Sequence, residues 1–189
     1  HVLSPEAVTP VWGPEKPRKV AVIGYTYSNR QAPWDDSEWT LWGLNNLHRW
    51  IQDRPGEATR WAGWFELHDD KTIDADAEHL AWLKREHPFP VWAWRPRPEW
   101  PAAIPFDGDG LRQRFETDYF TNSVSWMIAQ AIETVLWARF EGAEIGVWGV
   151  DMADGSEYSA QRPSCEYFLG IARGMGIKVT VAESSDLLK

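Results

Sequence analysis

One cysteine in 189 residues, Cys165, excludes an internal disulfide and fits a reducing compartment such as the cytoplasm. With no histidine near it and no CxxC partner, Cys165 reads as an inert thiol. No run of about 18 apolar residues occurs, so no helix is built to cross a membrane and no membrane partner is expected. Basic residues are also in short supply. Lys and Arg number 19 against 28 Asp and Glu, a formal net charge of -9. A nonspecific nucleic-acid coat needs clustered cations to displace counterions and is not expected, although one local basic patch stays compatible with an enzyme that touches DNA. Residues 1–17 lack the charged start, apolar middle and small-residue cleavage site of a signal peptide. They are Pro-rich and read as an extended arm before a single domain at 18–189. G-x-G-x-x-G and Walker signatures are missing too, so neither a dinucleotide cradle nor an ATPase loop is indicated.

Tryptophan is abundant, with 14 residues, enough to line grooves as well as fill a core. The apolar run in "RKVAVIGYTYSNR" (18–30) reads as a buried strand that turns at Gly24. "EWTLWGLNN" (38–46) and "RWAGWFELHDD" (60–70) repeat that design, each ending in polar residues. "DADAEHLAWLKREH" (74–87) reads as a helix with acids in its first turn, and "FPVWAW" (89–94) as a short strand. Residues 95–110 read as a long loop of functional or mobile character. The strongest helix spans 121–142: Thr121 or Asn122 caps it, and Val124, Met127, Ile128, Ala131, Ile132, Val135 and Leu136 form its buried stripe. A strand at 143–151, a helix from Ser164 to Arg173 and a strand at 177–182 complete the chain. Apolar strands separated by crossover helices predict an α/β, Rossmann-like three-layer domain with a mostly parallel sheet and helices on both faces.

In such sheets ligands bind beyond the carboxyl ends of the strands. Those positions are occupied by Gly24, Tyr25, Thr26 and Ser28; by Asn45 and Asn46; by Glu66, His68, Asp69 and Asp70; and by Asp151, and the helix start after the long loop adds Thr121, Asn122 and Ser123. They should share one edge and favour a nucleotide-type pocket. Turn-forming and helix capping explain several of them as well, and a helix start that caps itself also binds phosphate. His68 is set apart by three neighbouring carboxylates, which raise the basicity of an imidazole. "HDD" and "DGD" (107–109) offer oxygen ligands, but acidic pairs are common in loops and no metal site is assigned.

"YFTNSVSWMIAQAIE", "AEIGVWGVDMADGSEY" and "GIKVTVAESSDLL", together with "AVIGYTYS" and "GLNN", resemble segments of the bacterial sialyltransferases of the Campylobacter lipooligosaccharide type. They are also similar to the motility-accessory-factor group, and the whole pattern resembles a set of bacteriophage proteins. The resemblance implies one Rossmann-like domain that takes a small-molecule nucleotide or nucleotide sugar, cytidine favoured, with no other cofactor required. It implies that Gly24, Thr26, Ser28 and Asn45 lie near phosphate or ribose and that Thr121, Asn122 and Ser123 face the nucleotide. Gly149 and Asp151 would approach the base or ribose, and Tyr158 would donate to the leaving phosphate. The family carries a general-base histidine after the G-x-D strand, whereas no histidine follows His87 here. His68 or Glu66 is then the nearest candidate for the proton acceptor. The expected function is a glycosyltransferase-like enzyme using a nucleotide sugar on a glycan or modified base. The alternatives are a non-catalytic nucleotide-binding protein, or a nucleotide or N-glycosidic hydrolase using Glu66 or Asp151.

Overall fold

Val20 and Val22 face one way along the first strand, Ala21 and Ile23 the other, and all four are fully buried. A strand with no solvent face must be covered on both sides, the condition of a parallel sheet between helical layers. The structure, a computed structural model, describes residues 16–51, 60–152 and 156–189, with backbone only for 156–159. Residues 1–15 of the expected arm lie outside the described residues.

Among the described residues a seven-stranded sheet forms from β1 (Lys19–Ile23), β2 (Trp39–Leu44), β3 (Trp61–Glu66), β4 (Val91–Ala93), β5 (Ala103–Pro105), β6 (Glu144–Trp148) and β7 (Lys178–Val181). The order is β5-β4-β3-β2-β1-β6-β7, and each neighbouring pair is parallel. The chain winds outward from β1 in one direction and then restarts at β6 in the other. The strand order therefore switches between β1 and β6, the place where an open parallel sheet offers a ligand crevice beyond its carboxyl edge.

On one face, α4 (Ser123–Val135) and α5 (Ser156–Gly174) cover Val20, Val22, Ile145 and Val147. The opposite face is covered by Leu47 and Ile51, by Ile73 of α1 (Asp70–Asp74) and by Leu83 of α2 (Ala77–Leu83). This is the expected α/β, Rossmann-like fold.

Three of the tryptophans take their space from strand glycines. A Cβ at Gly43 would lie 2.3 Å from the Trp64 ring, one at Gly63 would lie 2.1 Å from Trp92, and one at Gly146 would lie 2.2 Å from Trp148. Each glycine thus leaves a notch on the sheet that a neighbouring indole fills.

Three expectations need correction. The long loop at 95–110 contains β5 and leads into α3 (Gly108–Phe115). The strand is a three-residue edge piece ending on Pro105, tolerated because an edge can spare a ladder donor; two glycines conceal the helix, which Asp107 caps by accepting from the Gly110 N–H at 2.9 Å. The helix expected at 121–142 is regular only to Val135, then tightens into a 3-10 turn at Leu136–Ala138. Finally, α5 starts at Ser156, before Pro163, rather than at Ser164.

Replacing Gly63 with alanine pushes a methyl into the Trp92 ring. The expected destabilisation is about 1–3 kcal/mol, the usual cost of overpacking, read as a lower urea midpoint with unchanged slope. An unchanged midpoint would show that the Gly63–Trp92 fit is not tight.

Candidate functional site

Two loops make the floor of the crevice at the switch point. Gly24 follows β1 and Gly149 follows β6, and a Cβ on either would come within 2.2 Å of the other's carbonyl oxygen. Gly149 also holds φ +70, a region that side chains disfavour. The Gly24 N–H donates to the Trp148 carbonyl at 2.8 Å and the Thr26 N–H to the Gly149 carbonyl at 3.1 Å. Ser28 lies beneath this seam, fully buried. It accepts from the Gly149 N–H at 2.8 Å, and both its hydroxyl and its N–H donate to the Asp151 carboxylate. The apolar strand β6 therefore delivers Asp151 first of all to lock the two loops together.

Above this floor is a cavity of about 490 Å³. Its walls include Gly24, Thr26, Asn45, His68, Thr121, Asn122, Ser123, Gly149 and Asp151, so most of the residues expected at strand ends and at the helix start meet around one space. Ser28 is not among the lining residues, because its hydroxyl is turned under the seam. Tyr158 is in the first turns of α5, and its side chain lies outside the described residues.

Several of these groups are already engaged. Asn122 caps α4 by accepting from the Ser125 N–H at 2.9 Å and donates to the Gln161 carbonyl at 2.9 Å. Thr121 bonds the Ser164 hydroxyl at 2.6 Å. These contacts tie the start of α4 to α5. By contrast, the Thr26 hydroxyl and the Asn45 side-chain oxygen are buried without a hydrogen-bond partner. Asn45 also sits at φ 49, its carbonyl held by the Trp64 indole N–H at 2.9 Å. A non-glycine residue kept in the left-handed region at a strand end stores strain of the sort that collects at binding sites.

A second cavity, about 630 Å³, lies alongside, lined by Trp94, Trp100 and Phe106 together with Asp70, Arg95 and Arg112. Leu67 and His68 border both cavities. His68 is thus a partition between an edge of the nucleotide-sized crevice and a larger aromatic and charged recess.

Behind His68 is a buried network that the sequence did not announce. Glu66 is fully buried. One of its oxygens accepts from the His68 N–H at 3.0 Å and faces His68 Nδ1 at 2.9 Å. The other oxygen bonds Nε2 of buried His79, and His79 Nδ1 meets His48 Nε2 at 3.0 Å. Burial opposes ionisation of Glu66, but hydrogen bonds from His68 and His79 outweigh it and bring the carboxyl down to about 2. The bond to Glu66 in turn raises the His68 imidazole above its ordinary range. Burial, with His79 and Arg49 nearby, lowers His48 to about 4. Neither carboxylate considered for hydrolysis is free: Glu66 is held between two imidazoles and Asp151 by Ser28.

Asp69 and Asp107 cap helices, and Asp70 and Asp109 pair with Arg97 at 3.1 Å and Arg112 at 2.8 Å. Among the described residues no group of three or more His, Cys, Asp or Glu side chains is placed to hold a metal ion. Burial pushes the Cys165 thiol up to about 12, which keeps it unreactive.

No protein-family model matches the chain, and no curated protein matches it. Solved structures do resemble it. The sialyltransferase CstII from Campylobacter jejuni, in complex with cytidine-5'-monophosphate, superposes with a TM-score of 0.56 at 15% identity, over 90% of this chain and 82% of that one. CstII with a trisaccharide acceptor and CMP gives 0.53 at 14% identity, over 87% and 80%. The monofunctional alpha-2,3-sialyltransferase Cst-I from Campylobacter jejuni gives 0.56 at 12% identity, over 90% and 78%. At such identities the likeness is one of architecture: the chain has a sialyltransferase-like fold.

Proposed function

We propose that the protein binds a nucleotide, cytidine type favoured, in the 490 Å³ cavity and transfers a sugar from a nucleotide sugar to a hydroxyl acceptor. The observation that carries this reading is the pair of unpartnered buried acceptors, Thr26 Oγ1 and Asn45 Oδ1, in walls where a strained loop and a helix start converge. A ligand bearing hydroxyl donors satisfies Asn45 Oδ1, and the threonine hydroxyl can either donate to it or accept from it. The N-terminus of α4 suits the phosphate, since backbone N–H groups and the helix dipole favour an anion there. Neighbours of the same fold crystallised with CMP support the cytidine preference.

In the transfer step the acceptor hydroxyl comes from the larger recess and reaches the sugar past His68. Its oxygen bonds the anomeric carbon while the bond from that carbon to the phosphate oxygen breaks, and the electron pair stays with the nucleotide. The hydroxyl proton goes to Nε2 of His68, whose Nδ1 is occupied by Glu66. Tyr158 is assigned the donor to the leaving phosphate, as the family resemblance implies. His68 thereby replaces the base that the family carries after its G-x-D strand.

CMP should raise the melting temperature, and Asn45→Gly, which tolerates the positive φ but removes the acceptor for a ligand hydroxyl, should weaken CMP binding about tenfold by calorimetry. A panel of nucleotides and nucleotide sugars none of which moves the melting temperature would overturn the nucleotide site. With a donor in hand, His68→Gln should lower turnover by about 10²–10⁴-fold while CMP affinity stays close to that of the unaltered chain. Because the bond to Glu66 raises the His68 pKa, the working base is lost as pH falls through that raised value. Turnover should therefore rise with pH and level off above it. A flat profile in the unaltered chain, or full activity in His68→Gln, would remove His68 from the role.

A further inference from the structure

Glu66 makes one feature of the buried network consequential: its two oxygens serve two different imidazoles. An ionised carboxylate accepts and cannot donate, so Nδ1 of His68 and Nε2 of His79 must both carry protons. A neutral His79 then has a bare Nδ1, and the only proton that can fill the 3.0 Å contact there belongs to His48 Nε2. His48 is itself clamped, its ring stacked on Trp82 at 4.5 Å and 1° between planes. With His79 neutral, donor and acceptor roles are fixed along the whole line His48–His79–Glu66–His68, from the half-buried ring of His48 to the partition between the two cavities.

We propose that His79 is a positioning residue for His68: by donating Nε2–H to the second oxygen of Glu66, it holds the carboxylate in register and shares its charge. The result is a His68 whose neutral form carries its proton on Nδ1 and keeps Nε2 bare toward the cavities. An unshared Glu66 would hold the His68 proton more tightly and keep the ring charged, with no lone pair to offer, up to a higher pH. His48 supports His79 in the same way, from one step further out. The use of that bare nitrogen as a base rests on the transfer reading above; the protonation pattern does not.

Other charges border the network. Beside His68 stands Asp69, with Asp151 across the smaller cavity and Asp70, Arg95 and Arg112 across the larger one. Around His79 and His48, Asp76 accepts the His79 N–H at 3.0 Å, Arg49 pairs with Asp76 and Glu78, and Arg85 lies near His48. None of these occupies an oxygen of Glu66, which among the described residues is bonded to His68 and His79.

Long-range 1H–15N NMR of the 15N-labelled chain across roughly pH 5 to 9 tests the arrangement. Signals are assigned by their loss in His68→Gln and His79→Gln. In the unaltered chain neutral His68 should be the Nδ1–H form and His79 the Nε2–H form, readouts that need no variant to fold. In His79→Phe, which keeps a ring but removes the donor, the His68 midpoint should rise by about one pH unit. In His79→Gln, whose amide N–H stands where Nε2 stood, it should stay within about 0.3 unit of the unaltered chain. An Nε2–H form for His68 in the unaltered chain would overturn the inference, as would an equal shift from Phe and Gln. Failure of transfer with every donor would defeat the enzymatic reading and leave these NMR outcomes standing on their own.

Discussion

The backbones just past β1 and β6 lie in van der Waals contact, with Gly24 and Gly149 stacked so closely that neither has room for a methyl group. Everything polar at this edge is arranged around that contact. Ser28 reaches under it to Asp151, and Asn29 donates to the Gly24 carbonyl at 3.1 Å from the same loop. Because the two loops belong to the strands on either side of the switch point, fastening them together sets the width of the crevice above. The position of Thr26 on one wall and of Asp151 on the other is a result of it.

A second constraint is the burial of Glu66 at the end of β3. A carboxylate cannot be left alone in the interior, where desolvation is severe and must be offset by hydrogen bonds or charge. Here the offset comes from two imidazoles supplied by different elements, His68 in the loop after β3 and His79 on α2. The need to satisfy one buried acid therefore couples the cavity wall to the helix behind it. This also explains why an acid that reads as reactive in the sequence is unavailable as a nucleophile, while the histidine beside it gains basicity.

The strands were legible because parallel, doubly covered strands are near-continuous apolar runs, and "KVAVI", "TLWGL" and "EIGVW" carry that mark plainly. The residues immediately beyond each strand's carboxyl end were enough to group Gly24, Asn45, His68 and Asp151 at one edge, since that grouping depends on strand direction alone, and Ser123 joins them because α4 starts at the same edge. The larger recess stayed hidden because its walls come from a stretch dense in proline and glycine, where β5 and α3 leave weak periodic traces. The roles of His79 and His48 were hidden for a different reason. Their significance lies in which atom faces Glu66, and sequence neighbours of His79 such as Leu80 and Trp82 mark only a helix face. The engagement of Ser28 and Asp151 with each other, 123 positions apart, is likewise a product of topology rather than of local pattern.

The notches cut for tryptophan have a consequence for how this sheet can vary. Gly43 with Trp64, Gly63 with Trp92, and Gly146 with Trp148 each divide a fixed volume between a very small and a very large residue. Enlarging the small member alone causes a clash, and shrinking the large member alone opens a void, so both single steps are costly. A simultaneous exchange that preserves the combined volume avoids both costs, which makes each pair strongly non-additive. Such pairs should be inherited or lost together among descendants of this chain, as linked characters rather than independent sites.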